Sequence, residues 1–113
     1  MRLFATGVAW LGALVLATTA MAADADLGKK LWAQKCAMCH GADGKGDAKM
    51  AERLKAKIPG LGTSAGKTDS ELLKAIADGK RPMPAFGKSL KSEELEAVLQ
   101  HAKGLAKRLA AGK

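Results

Sequence analysis

The stretch "KCAMCHGADG", residues 35–44, holds the only two cysteines of this 113-residue chain, and a histidine follows the second of them directly. Cys36, Cys39 and His40 therefore bring two thiols and one imidazole into five consecutive positions. Thiols and imidazoles are side chains that bind transition metals, and thiols also react with electrophiles. What this segment holds decides the fold class of the chain as well as its function.

Three kinds of site could use these side chains. A structural zinc site needs four ligands, usually from two separated pairs, and only His101 remains as a further donor of the usual kind. A dithiol redox motif expects a βαβ context, and the sequence predicts no strand. Covalent haem attachment has C-x-x-C-H as its recognised signature, and the pattern favours it over the other two.

The spacing of the motif suits the chemistry of haem. Two thiols three residues apart, on one turn of chain, can reach both vinyl groups of one ring and form thioethers. The next residue, His40, can then place an imidazole nitrogen on the iron. A covalent tether also prevents loss of the haem outside the cell.

The N-terminal residues, "MRLFATGVAWLGALVLATTAMA", have the parts of a secretory signal peptide. Arg2 gives a positive start, residues 3–23 carry no charge, and Ala20-Met21-Ala22 matches the small-x-small cleavage pattern. An uncleaved membrane anchor is the alternative, because 21 uncharged residues could just span a bilayer. We predict a signal peptide at 1–22, a mature domain at 23–113, export to the periplasm and no stable membrane anchor after cleavage.

The predicted mature domain is small and basic. Removing 22 residues from 113 leaves 91, with Trp32 and Phe86 as the two aromatic residues, so a bulky apolar cofactor would complete a thin core. Loss of Arg2 lowers the formal net charge from +8 to +7. Nucleic acid is not expected as a partner of an exported protein, whereas an acidic protein surface or anionic lipid would complement the charge.

The mature region has helical patterns throughout. The first helix is predicted to start near Asp24 or Asp26 and to run into Cys36, and the loop "HGADGKGD" follows it. The third helix opens with a capping box, "TDSE", at 68–71. Three later helices are expected after N-cap residues, namely Asp47, Thr68 and Ser92.

The distal ligand decides the class of haem chemistry, because an open site binds small ligands and methionine opposite histidine serves electron transfer. The candidates are Met38, Met50, Met83 and His101. Met38 lies inside the attachment motif and cannot reach the other face of the ring, and Met50 suits packing equally well. Met83 is favoured because Pro82 and Pro84 stiffen the loop around it.

With these segments in this order, the chain resembles the class I, or monohaem, c-type cytochromes of bacteria. The resemblance extends from Leu27 to Leu105 and rests on "GKKLWAQKCAMCHGADGKG", "IPGL", "SELLKAIADGKRPMPAFGKSL" and "SEELEAVLQHAKGL". It implies a small all-α cytochrome c fold, with four or so helices wrapped round one covalently bound haem c.

The resemblance also implies roles for single residues. Cys36 and Cys39 would form the thioethers, and His40 and Met83 would be the proximal and distal iron ligands. The carbonyl of Pro59 would accept the N–H of the proximal imidazole.

The chain departs from the family at two positions, which lie where the first and last helices are expected to cross beside Gly28. The family usually has Phe at the position of Trp32 and an aromatic residue at that of His101. We predict that His101 packs between helices rather than binding iron.

The function implied by the resemblance is periplasmic electron transfer without substrate chemistry, by a monomer whose redox partners present acidic docking surfaces. No constellation of catalytic acid, base or nucleophile is recognisable in the sequence. Two alternatives remain open: a haem subunit of a larger oxidoreductase, and a small-ligand-binding haem sensor if Met83 is not a ligand.

Two sets of side chains are expected round the haem. The apolar set that would cover the ring is Leu31, Trp32, Leu54, Ile58, Leu61, Leu73, Ile76, Phe86, Leu90, Leu95 and Leu99. The cationic set that would surround its exposed edge is Lys35, Lys45, Lys49, Lys80, Arg81, Lys88 and Lys91.

Overall fold

Residues 24–112 are described by a computed structural model, and within this range every regular element is a helix. Lys80 and Met83 form an isolated antiparallel bridge. The all-α fold class predicted from the sequence is therefore confirmed. The predicted signal peptide at 1–22 lies outside the described residues and stays a prediction.

The first helix, α1, covers 24–40 and includes the whole attachment motif. Its middle is a π-helical segment, Trp32–Cys36, and its last turn is Ala37–His40. The helix ends at Gly41, whose φ of 82° lies in a region that glycine adopts without steric penalty. The prediction that the helix stops at Cys36 is thus too short, because the first residue to leave helical geometry is this glycine.

The second helix, α2, is Ala48–Leu54. Asp47 is its N-cap as predicted, since the Oδ1 atom of Asp47 accepts a hydrogen bond of 2.7 Å from the backbone N–H of Met50. The chain leaves α2 through Lys55, which adopts the left-handed conformation. A single 3₁₀ turn, Leu61–Ser64, follows in a segment that the sequence analysis treats as loop.

The third helix, α3, is Asp69–Asp78 and opens with the predicted capping box. The Thr68 hydroxyl accepts from the backbone N–H of Glu71 at 3.2 Å, and the Glu71 carboxylate accepts from the backbone N–H of Thr68 at 2.9 Å. The helix ends at Gly79, with φ 67°.

The fourth helix, α4, is Ser92–Ala111. Its N-cap is Lys91 and not Ser92, which corrects the sequence prediction by one residue. The Glu94 carboxylate accepts a hydrogen bond of 2.8 Å from the backbone N–H of Lys91, so a glutamate in the first turn, and not the serine hydroxyl, makes the side-chain hydrogen bond at this end.

Helices α1 and α4 cross at Gly28, as expected from the sequence. A Cβ atom at Gly28 would collide with the carbonyl oxygen of Ala97 and would come within 3.3 Å of the His101 Cβ, so only glycine allows this approach. The core beside the crossing consists of Leu31, Ile76, Leu90, Val98 and Leu99.

The start of α3 is also tied to α4. The Nζ atom of Lys103 lies 2.7 Å from the Oδ1 atom of Asp69, a partly exposed pair worth roughly 0–1 kcal/mol. Within 24–112, none of the helices has both the length and the apolar character required to cross a bilayer.

Candidate functional site

A cavity of about 520 Å³ opens among the helices, a volume within the range of roughly 300–1,000 Å³ usual for cofactor and small-molecule sites. All five site residues predicted from the sequence line it: Cys36, Cys39, His40, Pro59 and Met83. They come from the end of α1, from the segment before the 3₁₀ turn and from the loop between α3 and α4. The fold therefore assembles one site from three separate parts of the chain.

The attachment segment, residues 36–47, folds back on itself through hydrogen bonds between its own backbone groups. The N–H of Gly46 donates to the His40 carbonyl at 2.7 Å, and the N–H of Asp47 donates to the Cys39 carbonyl at 2.8 Å. Gly44 and Gly46 have φ values of 81° and 92°, which these tight turns require. Local bonds thus hold the two cysteines and the histidine at the wall of the cavity.

The Cys36 thiol is poorly suited to thiolate chemistry. Cys36 and Cys39 are both free and partly buried. Burial raises the pKa of the Cys36 thiol to about 11, although the nearby Lys35 lowers it, and Cys39 adds a smaller upward contribution. Redox-active cysteines have a lowered pKa, so the dithiol redox alternative finds no support at Cys36.

His40 carries an unsatisfied nitrogen at the same wall. Its Nδ1 atom is buried and has no hydrogen-bond partner among the described residues. Burial lowers the pKa of the imidazole, which favours the neutral form that binds metals. The donor set of two thiols and one neutral imidazole fits a covalently attached haem. The predicted bond to Pro59 is not among the hydrogen bonds formed, and it stays a prediction.

Met83 approaches the cavity on a loop whose backbone is paired at its base. The Met83 N–H donates to the Lys80 carbonyl at 2.8 Å, and the Lys80 N–H donates to the Met83 carbonyl at 3.2 Å. The other candidate ligands lie elsewhere: Met38 is 68% exposed, and neither Met50 nor His101 is among the described residues that line the cavity.

The apolar wall of the cavity differs in part from the predicted set. Trp32, Leu54, Ile58, Leu61, Ile76 and Phe86 line it as expected. The other predicted members belong to the helix core or pack against it: Leu31, Leu73, Leu90, Leu95 and Leu99. Four further apolar residues that were not predicted also line the cavity, namely Leu72, Ala75, Val98 and Ala102. The i, i+4 spacing of Leu72 and Ile76 on α3 was the signal that could have found the first of these.

The charged side chains at the cavity all have the same sign. They are Lys35, Lys57, Lys67, Lys80 and Arg81, each of them exposed, and no carboxylate of the described residues joins them. Of the predicted cationic set, Lys35, Lys80 and Arg81 are therefore at the site. The other predicted members do not line the cavity: Lys45, Lys49, Lys88 and Lys91. Lys57 and Lys67 line it and were not predicted.

The described residues form no site for a metal ion bound by protein side chains alone. Across 24–112, no group of three or more His, Cys, Asp or Glu side chains is arranged to hold one. Adjacent residues on a helix cannot easily surround a small tetrahedral ion. The zinc alternative is thus not supported among the described residues.

Known proteins resemble this chain over most of its length. A family model described as "Cytochrome C oxidase, cbb3-type, subunit III" matches residues 23–101. The cytochrome c6 of Rippkaea orientalis is 38% identical over 87 residues, which are 76% of this chain and 75% of that protein. The cytochrome c6 of Pyropia yezoensis is 36% identical over 81 residues, covering 71% and 70%.

A solved structure resembles the fold as well. The c-type cytochrome KustC0563 matches with a TM-score of 0.59 and 30% identity, covering 69% of this chain and 95% of that one.

The helical fold and the cavity lined by C-x-x-C-H define a haem protein of the all-α class. The chain belongs to the c-type cytochrome family. It is a monohaem cytochrome with one covalently bound haem c, and it serves electron transfer with redox partner proteins. The family, the fold and the cofactor expected from the sequence are confirmed.

Proposed function

We propose that the protein is an electron carrier in which Cys36 and Cys39 hold the haem by thioether bonds and His40 and Met83 bind its iron. The carbonyl of Pro59 is the proposed acceptor for the second imidazole nitrogen. One observation carries the proposal: these five residues, which come from three segments of the chain, line one cavity. We propose no substrate chemistry, because His40 and Met83 would both be iron ligands and would leave no open position for a substrate.

In this proposal the side chains of the protein hold the haem, shield it from water and bind the redox partner. When bound, the haem supplies a one-electron couple at its iron. Apolar walls that include Ile76 and Phe86 would shield the haem from water and disfavour additional positive charge on it, and a methionine ligand together with a histidine ligand would raise the reduction potential further. Electron transfer then requires no bond in the protein to form or break.

The proposed partners present acidic docking surfaces. Support comes from the five cationic side chains at the cavity and from the formal net charge of +8. Opposite charge on a partner speeds encounter and leaves the complex weak enough to separate after transfer. The proposed carrier acts as a monomer.

The proposed location is the periplasm, reached by a signal peptide at residues 1–22. The charge-free stretch after Arg2 and the Ala20-Met21-Ala22 pattern support it. Protein isolated from the periplasmic fraction should begin at Ala23. A chain that begins at Met1 in the membrane fraction would instead support the anchor.

Extraction in acid acetone tests the attachment. Haem of the natively matured protein should stay with the polypeptide, whereas a Cys36→Ser, Cys39→Ser double variant should lose it. A Ser64→Ala variant, at a cavity residue without a proposed bond to the haem, is the matched control and should retain it. Haem retained by the double variant would disprove the thioether assignment.

Spectra and purification separate the proposal from its two alternatives. The oxidised protein should show the weak red absorption band of a sulfur–iron bond, and the reduced protein should not bind carbon monoxide readily. Ready binding would indicate an open site and a sensor. Co-purification with a stoichiometric partner from the native periplasm would indicate a subunit of a larger oxidoreductase.

A further inference from the structure

Trp32 contacts the attachment segment in two ways. Its side chain is only 5% exposed, at the start of the π-helical segment. The indole Nε1–H donates a hydrogen bond of 3.0 Å to the carbonyl of Gly41, nine residues further along the chain. The indole ring also lies 5.8 Å from the His40 ring between centroids, tilted by 39°, which is within the usual range for aromatic pairs.

The π-helical segment links Trp32 to the motif by a second hydrogen bond, between backbone groups. The backbone N–H of Ala37 donates to the Trp32 carbonyl five residues before it, so one extra residue is accommodated in the turn. Trp32 therefore bonds to both ends of the region that contains the motif, by its carbonyl to Ala37 and by its indole to Gly41. Cys36, Cys39 and His40 lie next to or between these two anchors.

The indole also packs against α4. The His101 ring of α4 lies 5.7 Å from it, tilted by 45°. The close approach of α1 to α4 at Gly28 brings His101 to this position. The indole thus packs against two imidazole rings, and only one of them, that of His40, lines the cavity.

We propose that Trp32 is a positioning residue that sets the orientation of the His40 imidazole plane. The indole N–H holds the backbone directly after His40, and the indole ring restricts rotation of the imidazole about its Cβ–Cγ bond. A phenylalanine at this position could pack on the imidazole but could not hold Gly41, because it has no donor. The inference rests on the proposed function, in which His40 is the iron ligand.

A Trp32→Phe variant of the holoprotein tests the proposal. The readout is the pattern of haem methyl proton shifts in the oxidised protein by NMR, which depends on the planes of the axial ligands. We expect the spread and the order of the four methyl shifts to change while the red absorption band persists. Leu99→Val is the matched control, because Leu99 is a core residue that does not line the cavity. It should lower the unfolding temperature and leave the methyl pattern unchanged.

An unchanged methyl pattern in Trp32→Phe, equal to that of the control, would overturn the proposal and reduce Trp32 to a packing residue. The wild-type spectrum separates this failure from a failure of the proposed function. Strongly shifted imidazole protons that are absent in a His40→Ala variant establish His40 as the ligand whatever the outcome at Trp32.

A second measurement applies if the Trp32→Phe variant does not mature. Trp32 would be the only tryptophan after cleavage at Ala22, so its indole N–H gives a single signal. That proton should exchange with solvent at least tenfold more slowly than in a free indole, and it should show contacts to the His40 ring. Exchange as fast as in a free indole would overturn the proposal.

Discussion

The attachment segment and the loop that carries Met83 bring the two proposed iron ligands to one cavity by different means. The attachment segment is closed by bonds within itself, such as the one from the Gly46 N–H to the His40 carbonyl. The Met83 loop, residues 79–91, is anchored to α3 instead. Its Phe86 N–H donates to the Ile76 carbonyl at 3.1 Å, and the next residue donates to the Ala77 carbonyl at 2.9 Å.

The two proposed ligands differ in how far their positions depend on contacts between residues close in the chain. The place of His40 follows mainly from contacts within roughly ten residues of the same segment, with Trp32 and the hydrogen bond from the Leu61 N–H to the Gly44 carbonyl as additional anchors. The place of Met83 depends on where α3 packs, and its own local bonding is the pair with Lys80. We therefore expect the histidine side of the site to withstand perturbation better than the methionine side.

Removal of the haem should have the largest effect, because it affects both regions at once. Isolated helices shorter than about 12–15 residues are marginal in water, and α2 and α3 have 7 and 10 residues. The unattached chain should show little stable helix by circular dichroism, with any remaining signal from α1 and α4. A cooperative thermal transition in the haem-free polypeptide would contradict this expectation.

Met83→Ala should have the next largest effect. The red absorption band should disappear, cyanide should bind, and the reduction potential should fall by on the order of 0.1 V, within the range of roughly 0.8 V that axial ligands span. Met50→Ala is the matched control and should leave band and potential unchanged. If Met50→Ala abolishes the band and Met83→Ala does not, the distal role belongs to Met50.

Glycine substitutions compare the two regions directly. A Cβ at Gly79 would lie 2.6 Å from the Pro84 carbonyl oxygen, and φ there is 67°, so Gly79→Ala should destabilise the Met83 loop by about 1–3 kcal/mol. In Gly46→Ala the new Cβ would collide with the Ile58 carbonyl oxygen, and φ there is 92°. This variant should therefore strain the attachment segment similarly. Gly66→Ala, with open space around it, should change the unfolding free energy by less than about 0.5 kcal/mol.

The glycine variants should also differ in their spectra. Gly79→Ala should weaken the red band before the protein unfolds on heating, whereas Gly46→Ala should lower the yield of attached haem and leave the band of the matured fraction intact. The same spectral change in both variants would mean that the two regions do not respond independently.

Charge reversal at the mouth of the cavity should have a moderate effect on rate. Lys80→Glu and Arg81→Glu should slow electron transfer to an acidic partner, because both exposed side chains border the cavity next to Met83. Lys107→Glu, an exposed position at the far end of α4, is the control of equal charge change. A Debye length of about 10 Å at 0.1 M salt should make the wild-type rate fall steeply with ionic strength.

Equal slowing by all three charge reversals would show that only net charge matters. In that case the cationic set at the cavity would not be the docking surface.

The pH dependence of stability should show the smallest effect. Burial lowers the pKa of His101 from 6.5, and Arg108 and Lys29 lower it further, so the folded protein binds this proton less readily than the unfolded chain. The contribution is fully present above about pH 6.5 and is lost as the pH falls from there towards the folded-state pKa. The loss should be small because His101 is partly exposed. His101→Gln should remove this part of the pH dependence of the unfolding free energy.

A pH profile of His101→Gln that matches the wild type between pH 4 and 7 would assign the dependence to other groups. The measurement also bears on the attachment segment, because the His101 ring packs on Trp32, which bonds to that segment.

Much of the protein could be predicted from short segments of sequence. C-x-x-C-H indicated the haem, "TDSE" indicated the start of α3, and the glycines of 41–46 indicated the turns, because each pattern acts through bonds between residues close in the chain. The favoured position of Met83 followed from its two neighbouring prolines, and the loop does bring it to the cavity.

Tertiary structure decided which side of each helix faces the cavity. Leu72 and Val98 line it, whereas their chain neighbours Leu73 and Leu99 do not, although all four are apolar residues in helices. The bond from Trp32 to Gly41 and the presence of Lys57 and Lys67 at the cavity were likewise not predicted. The physical reason is that a bond within a turn depends on sequence neighbours alone. The rotation of one helix against another depends on the packing of residues far apart in the chain.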